Sequence, residues 1–160
     1  MDCSGRGHHG VLKSCKWKKT PDIAQLEFDG SGYVTVPYHK DFDISGDMTL
    51  AFWMCPLQVP ERHVLLAGRG DPCRPYLFWW RENEFTFIQS NRHGQTMMYL
   101  GRPHYPVGKW IHVSAVVCGQ EGRFYVDGAE IRRFKRSGVP SGSTAPFTIG
   151  GFENTWHPYF

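Results

Sequence analysis

The stretch at residues 108–131, "GKWIHVSAVVCGQEGRFYVDGAEI", decides the fold. Ile111, Val113, Ala115 and Val117 alternate with His112, Ser114, Val116 and Cys118. That two-residue period predicts a strand buried on one face and part-buried on the other. "CGQEG" interrupts it, and a second strand follows with Phe124 and Val126 on one face, Arg123 and Tyr125 on the other. Asp127-Gly128 is a strong hairpin signal, because both central residues of a type I′ turn need positive φ. The stretch therefore reads as three consecutive antiparallel strands.

The same alternation extends outward. Residues 1–21 are polar and turn-rich. "IAQLEFDGSGYVTVP" reads as two short strands around Asp29-Gly30-Ser31-Gly32, and in "DMTLAFWMCPL" Met48, Leu50, Phe52 and Met54 alternate with Thr49, Ala51, Trp53 and Cys55. "HVLLAG" and "YLFWWRENEFTFIQS" add three strands, the last two forming a hairpin, and "MMYLG" and "PFTIGGF" complete the set. About ten short strands at this spacing, without a sustained helical period, predict an all-β antiparallel sandwich of jelly-roll type.

Composition agrees. The 160 residues suffice for one domain with a real core, and 18 glycines, 11 prolines and 15% aromatic residues suit short strands joined by tight turns. A net charge of +3, with basic residues clustered only at 16–19 and 132–136, argues against nucleic-acid binding. No run approaches the roughly 18 apolar residues of a membrane span, and the first residues lack a signal-peptide core. The chain is expected to be extracellular if it is excised from a longer one, and cytoplasmic if it is whole. Five cysteines leave at least one thiol unpaired within a monomer, while Cys3 and Cys15 could close an N-terminal loop.

Six segments, "DCSGRGHHGVL", "LEFDGSGYVTVP", "DMTLAFWMCP", "GKWIHVSAVV", "GRFYVDGAEI" and "PFTIGGF", stand in the order and spacing of a known family. In them the chain resembles laminin G-like, pentraxin-like domains of the concanavalin A-like lectin/glucanase superfamily. The resemblance covers nearly the whole chain. It implies a single jelly-roll domain over residues 1–160, with 1–21 packed on it. That superfamily holds sugar-binding modules, adhesion domains and glycan-cleaving enzymes. The resemblance also implies a structural calcium ion near the N-terminus, with Asp2 as its ligand, although Arg6 and His8 stand where the family carries asparagines. A final strand with an acidic pair is usual in the family and is expected to be lacking here. The resulting open sheet edge would favour a homodimer or a plug formed by the chain's own terminus.

Four candidate sites follow from the residues. Glu82 and Glu84 in "RENEF" are the densest carboxylate pair for glycan cleavage, which needs two carboxyl groups about 5–9 Å apart. Asn83 between them predicts a turn rather than a catalytic strand. Cys3, His8, His9 and Cys15 could bind zinc, though their spacing matches no common motif. Arg69-Gly70-Asp71 matches an integrin-recognition tripeptide in a predicted loop. The main candidate is the aromatic-polar hairpin. There Tyr76, Phe78 and Trp80 share one face, and Leu77, Trp79 and Arg81 the other. A sandwich buries one face of each sheet, so one tryptophan is expected to turn outward unless a loop covers it. An exposed indole beside Arg81, Gln89, Asn91, Arg92 and His93 would give a sugar both an apolar platform and polar partners. The expected function is non-catalytic glycan binding around Trp79 and Trp80. The alternatives are a protein-interaction or adhesion module and, third, a glycan hydrolase or lyase.

Overall fold

Alternating apolar side chains need a second layer to bury them, and here each sheet provides that layer for the other. The computed structural model describes residues 2–60, 64–70, 74–82, 84–91, 96–101, 105–136 and 138–151. It opens with β1 (Val11–Lys13), β2 (Lys16–Lys19), β3 (Ala24–Glu27) and β4 (Tyr33–Val36). A short 3-10 turn at Lys40–Phe42 leads to β5 (Met48–Met54), β6 (Val64–Arg69), β7 (Tyr76–Arg81), β8 (Glu84–Ser90) and β9 (Thr96–Gly101). The chain continues through β10 (Ile111–Cys118), β11 (Glu121–Val126), β12 (Ala129–Lys135) and β13 (Phe147–Ile149).

The large sheet runs β1-β4-β13-β6-β7-β8-β9 and the small one β12-β11-β10-β5, while β2 and β3 form a separate hairpin. All these pairings are antiparallel. The fold is the all-β sandwich expected. Phe78, Trp80 and Phe87 of the large sheet meet Val113, Ala115 and Phe124 of the small one in a shared core. Such close-packed aromatic burial is the main stabilising term in a fold of this size.

The opening stretch folds as read. β10 buries Ile111, Val113, Ala115 and Val117, with His112 and Val116 half-buried. Asp127 and Gly128 both take positive φ, 49° and 79°, as a type I′ turn requires. Residues 1–21 depart from expectation, because they contain strands β1 and β2. "KWKK" has no apolar period of its own, and it is held in a strand by its ladder to β3. Residues 152–160, to which the expected lack of a final strand and the open edge belong, lie outside the described residues. Among the described residues no helix is long and apolar enough to cross a membrane.

Candidate functional site

The hairpin singled out by its tryptophans does not present them. Trp80 is 1% exposed and packs between the sheets against Phe85 and Tyr105. Its indole N–H points to the Glu82 carbonyl and the Tyr105 hydroxyl. Trp79 does face away from the main core, but it is 9% exposed within a second small cluster with Leu65, Leu77 and Ile88. The Arg74 guanidinium lies over its ring at 5.1 Å. The expected platform is thus corrected: an aliphatic cluster and Arg74 take up the indole face that a sugar would need. Gln89 is also buried, on the core face of β8, and Asn91 is buried beside it. Arg81 is exposed and pairs with Glu82 at 3.2 Å. Arg92 and His93 lie outside the described residues.

Among the described residues three other tryptophans are exposed, and they converge. Trp17 on β2, Trp53 on β5 and Trp110 at the foot of β10 are 52%, 64% and 40% exposed, and all line one cleft of about 800 Å³. Each is placed by local structure. Trp17 stands on the β2–β3 hairpin, whose turn is closed by Thr20 N–H donating to the Ile23 carbonyl at 2.8 Å. The base of that hairpin sits against β13 because Gly150 has no side chain. A Cβ there would fall 2.5 Å from the Phe28 ring, at a φ of +83° that suits glycine. Trp53 occupies the outward position between Phe52 and Met54, which point to the core. Cys55, Leu57, Gln58 and Pro60 also line the cleft, and their segment is pinned by Gly108 N–H to the Pro56 carbonyl at 2.7 Å and Glu82 N–H to the Pro60 carbonyl at 2.8 Å.

Met54, Val64 and the buried edge of Trp80 form the floor of the cleft, and its rim carries Lys18, Gln25, Glu27, Asp29 and Gln58. Lys18 pairs with Glu27 at 3.5 Å. Asp29 Oδ1 accepts hydrogen bonds from the Ser31 hydroxyl at 2.7 Å and the Ser31 backbone N–H at 3.0 Å. These bonds hold its carboxyl below the ordinary value. Exposed indoles beside apolar lining, with polar groups at the rim, suit a carbohydrate, since its C–H faces stack on aromatic rings and its hydroxyls need hydrogen-bond partners. The tryptophans flanking the cleft are far apart in sequence. Trp53 alone carried a readable signal, its place on the polar side of β5.

Glu82 sits in the turn after β7 with φ 52°, so it and Glu84 do not lie on one strand. Arg69 of the integrin-type tripeptide is fully buried. Its guanidinium donates to Asp43 Oδ1 at 2.8 Å and to the Phe42, Ala145 and Ser143 carbonyls. It is a structural anchor, which corrects the loop reading. Asp71 and Cys73 lie outside the described residues. Cys15, Cys55 and Cys118 are free thiols, so no Cys3–Cys15 bridge closes the N-terminal loop. The set Cys3, His8, His9 and Cys15 does not assemble, because Cys15 donates to the Tyr33 carbonyl and His9 accepts from Asp2 N–H.

Asp2 is committed to its own loop. Its carboxylate accepts from Ser4 N–H at 2.9 Å, the Ser4 hydroxyl at 2.7 Å and His8 N–H at 3.0 Å. The Ser4 bonds lead in lowering its pKa to about 2. These bonds use both carboxylate oxygens, so a calcium ion at Asp2 would compete with the Ser4 and His8 donors.

The family model of the concanavalin A-like lectin/glucanases superfamily matches residues 28–160. No curated protein sequence matches the chain. Among solved structures, the binding domain of Paraclostridial Mosquitocidal Protein 1 superposes with a TM-score of 0.78 at 13% identity, over 92% of this chain. Domain 4 of AbnA, an extracellular arabinanase from Geobacillus stearothermophilus solved with arabinotriose, gives 0.69 at 18% identity over 94%. The mouse laminin alpha1 chain, domains LG4-5, gives 0.66 at 16% identity over 83%. The chain spans 40%, 76% and 37% of those three structures respectively.

Proposed function

The chain belongs to the concanavalin A-like lectin/glucanases superfamily, and from that premise we propose that it is a non-catalytic glycan-binding module. The sugar lies in the cleft between Trp17, Trp53 and Trp110. The observation that carries this reading is the convergence of three exposed indoles on one apolar-floored cleft with a polar rim. A similar fold holds arabinotriose in the arabinanase domain, which supports a saccharide as the ligand class.

The Asp29 carboxyl, held below the ordinary value by the Ser31 hydrogen bonds, supplies an acceptor at the rim for sugar hydroxyls. A protein partner is the second reading. It is favoured by the aliphatic side chains near the same rim, above all Leu57 at 72% exposure. A glycan array separates the two readings. Glycan binding that free oligosaccharide competes away and Trp110→Ala weakens at least tenfold supports the sugar reading. An array without a single retained glycan would contradict it.

A further inference from the structure

We infer that His8, His39 and Asp41 form a binding site for a zinc-class metal ion, one that clips the N-terminal loop to the sandwich. The three residues come from two distant parts of the chain, and their ligand atoms all lie within 4.8 Å of one another. His8 Nε2 is 3.1 Å from Asp41 Oδ2, and His39 Nδ1 is 3.2 Å from Asp41 Oδ1. Zinc bonds of about 2.0–2.2 Å arranged as a tetrahedron set neighbouring donor atoms roughly 3.3–3.5 Å apart. Each imidazole nitrogen therefore stands about one such edge from a carboxylate oxygen, His8 from Oδ2 and His39 from Oδ1, and turning the exposed His39 ring brings both nitrogens toward a metal held by the Asp41 carboxylate.

The donors are also oriented. The His8 ring packs on Phe42 and on the His39 ring, both at 4.7 Å between centroids. Its backbone is fixed by the bond from His8 N–H to Asp2. At His39, Nδ1 accepts from Asp41 N–H at 3.2 Å and lies beside the Asp41 carboxylate, so its lone pair is already aimed into this turn. A metal ion takes up that lone pair in place of the N–H and is shared with the carboxylate. Arg6 now supplies positive charge at 3.3 Å from Asp41 Oδ2, on a side chain that is largely exposed and can swing away. Two imidazoles and one carboxylate suit zinc rather than calcium or magnesium, and they leave a fourth position for water. The clip would tie residues 2–9, which precede the family-matched region, to the turn after β4.

Cobalt(II) titration of the full chain tests the site. The expected result is a visible d–d absorption that zinc displaces, weakened at least tenfold in His39→Ala and in Asp41→Asn. Glu130→Gln, elsewhere on the sandwich, should bind within twofold of the unaltered chain. Zinc should also raise Tm by several degrees, since it binds the folded state. Circular dichroism of each variant establishes that it is folded. No absorption with cobalt in excess, or absorption undiminished in either His39→Ala or Asp41→Asn, would overturn the assignment.

Discussion

The Trp53 indole lies 5.2 Å from the His112 imidazole, centroid to centroid, directly across the β5–β10 ladder. The imidazole supports one side of the indole and leaves most of the ring to solvent. Trp53→Ala should therefore change Tm by no more than a few degrees. Trp80→Ala empties a fully buried site and should cost about 3–5 kcal/mol in chemical denaturation. Equal losses for the two variants would mean that Trp53 is structural and not a ligand platform.

Gln89 offers a test of the core. Among the described residues neither side-chain amide atom has a hydrogen-bond partner, although the residue is fully buried. An unsatisfied buried polar group costs about 1–3 kcal/mol. Gln89→Met, close in shape and apolar, should raise stability by about that amount. A loss of stability would show that the amide is satisfied in solution.

Asp47 links the start of β5 to the β10–β11 turn, accepting from Gly119 N–H at 2.7 Å and from the Cys118 thiol at 3.4 Å. These bonds hold its carboxyl below the ordinary 3.8. A lowered folded-state pKa contributes stability that is fully present above the unfolded value and is lost as pH falls through the folded one. Asp47→Asn can keep the Gly119 bond without titrating. Its Tm should fall less than that of the unaltered chain between about pH 5 and about pH 3. Parallel curves would refute this role.

The sandwich was legible because its strands alternate with few interruptions, as in β5 and β10, and because Asp127-Gly128 names its own turn. The site was harder to read. Both Trp53 and Trp79 stand on the outward face of a strand, and cross-strand neighbours decide which is exposed. Leu65, Leu77 and Ile88 cluster with Trp79, whereas Trp53 faces His112 with Ala51 and Ser114 nearby on the ladder. Those neighbours come from pairings that a single strand does not reveal. His8 and Asp41 are 33 positions apart, so no local spacing joins them. β2 escaped for a related reason, its partner β3 rather than its own pattern making it a strand.

Affinity electrophoresis through gels containing candidate polysaccharides, run on the unaltered chain and on Trp17→Ala, Trp53→Ala, Trp110→Ala and Trp79→Ala, measures whether the tryptophan cleft holds the sugar. Stacking on an aromatic ring contributes enough that its loss should weaken retention at least tenfold for each cleft tryptophan. Trp79→Ala, so long as it remains folded, should be retained like the unaltered chain. Retention that survives all three cleft substitutions, or that is abolished by Trp79→Ala in a folded protein, would contradict the account.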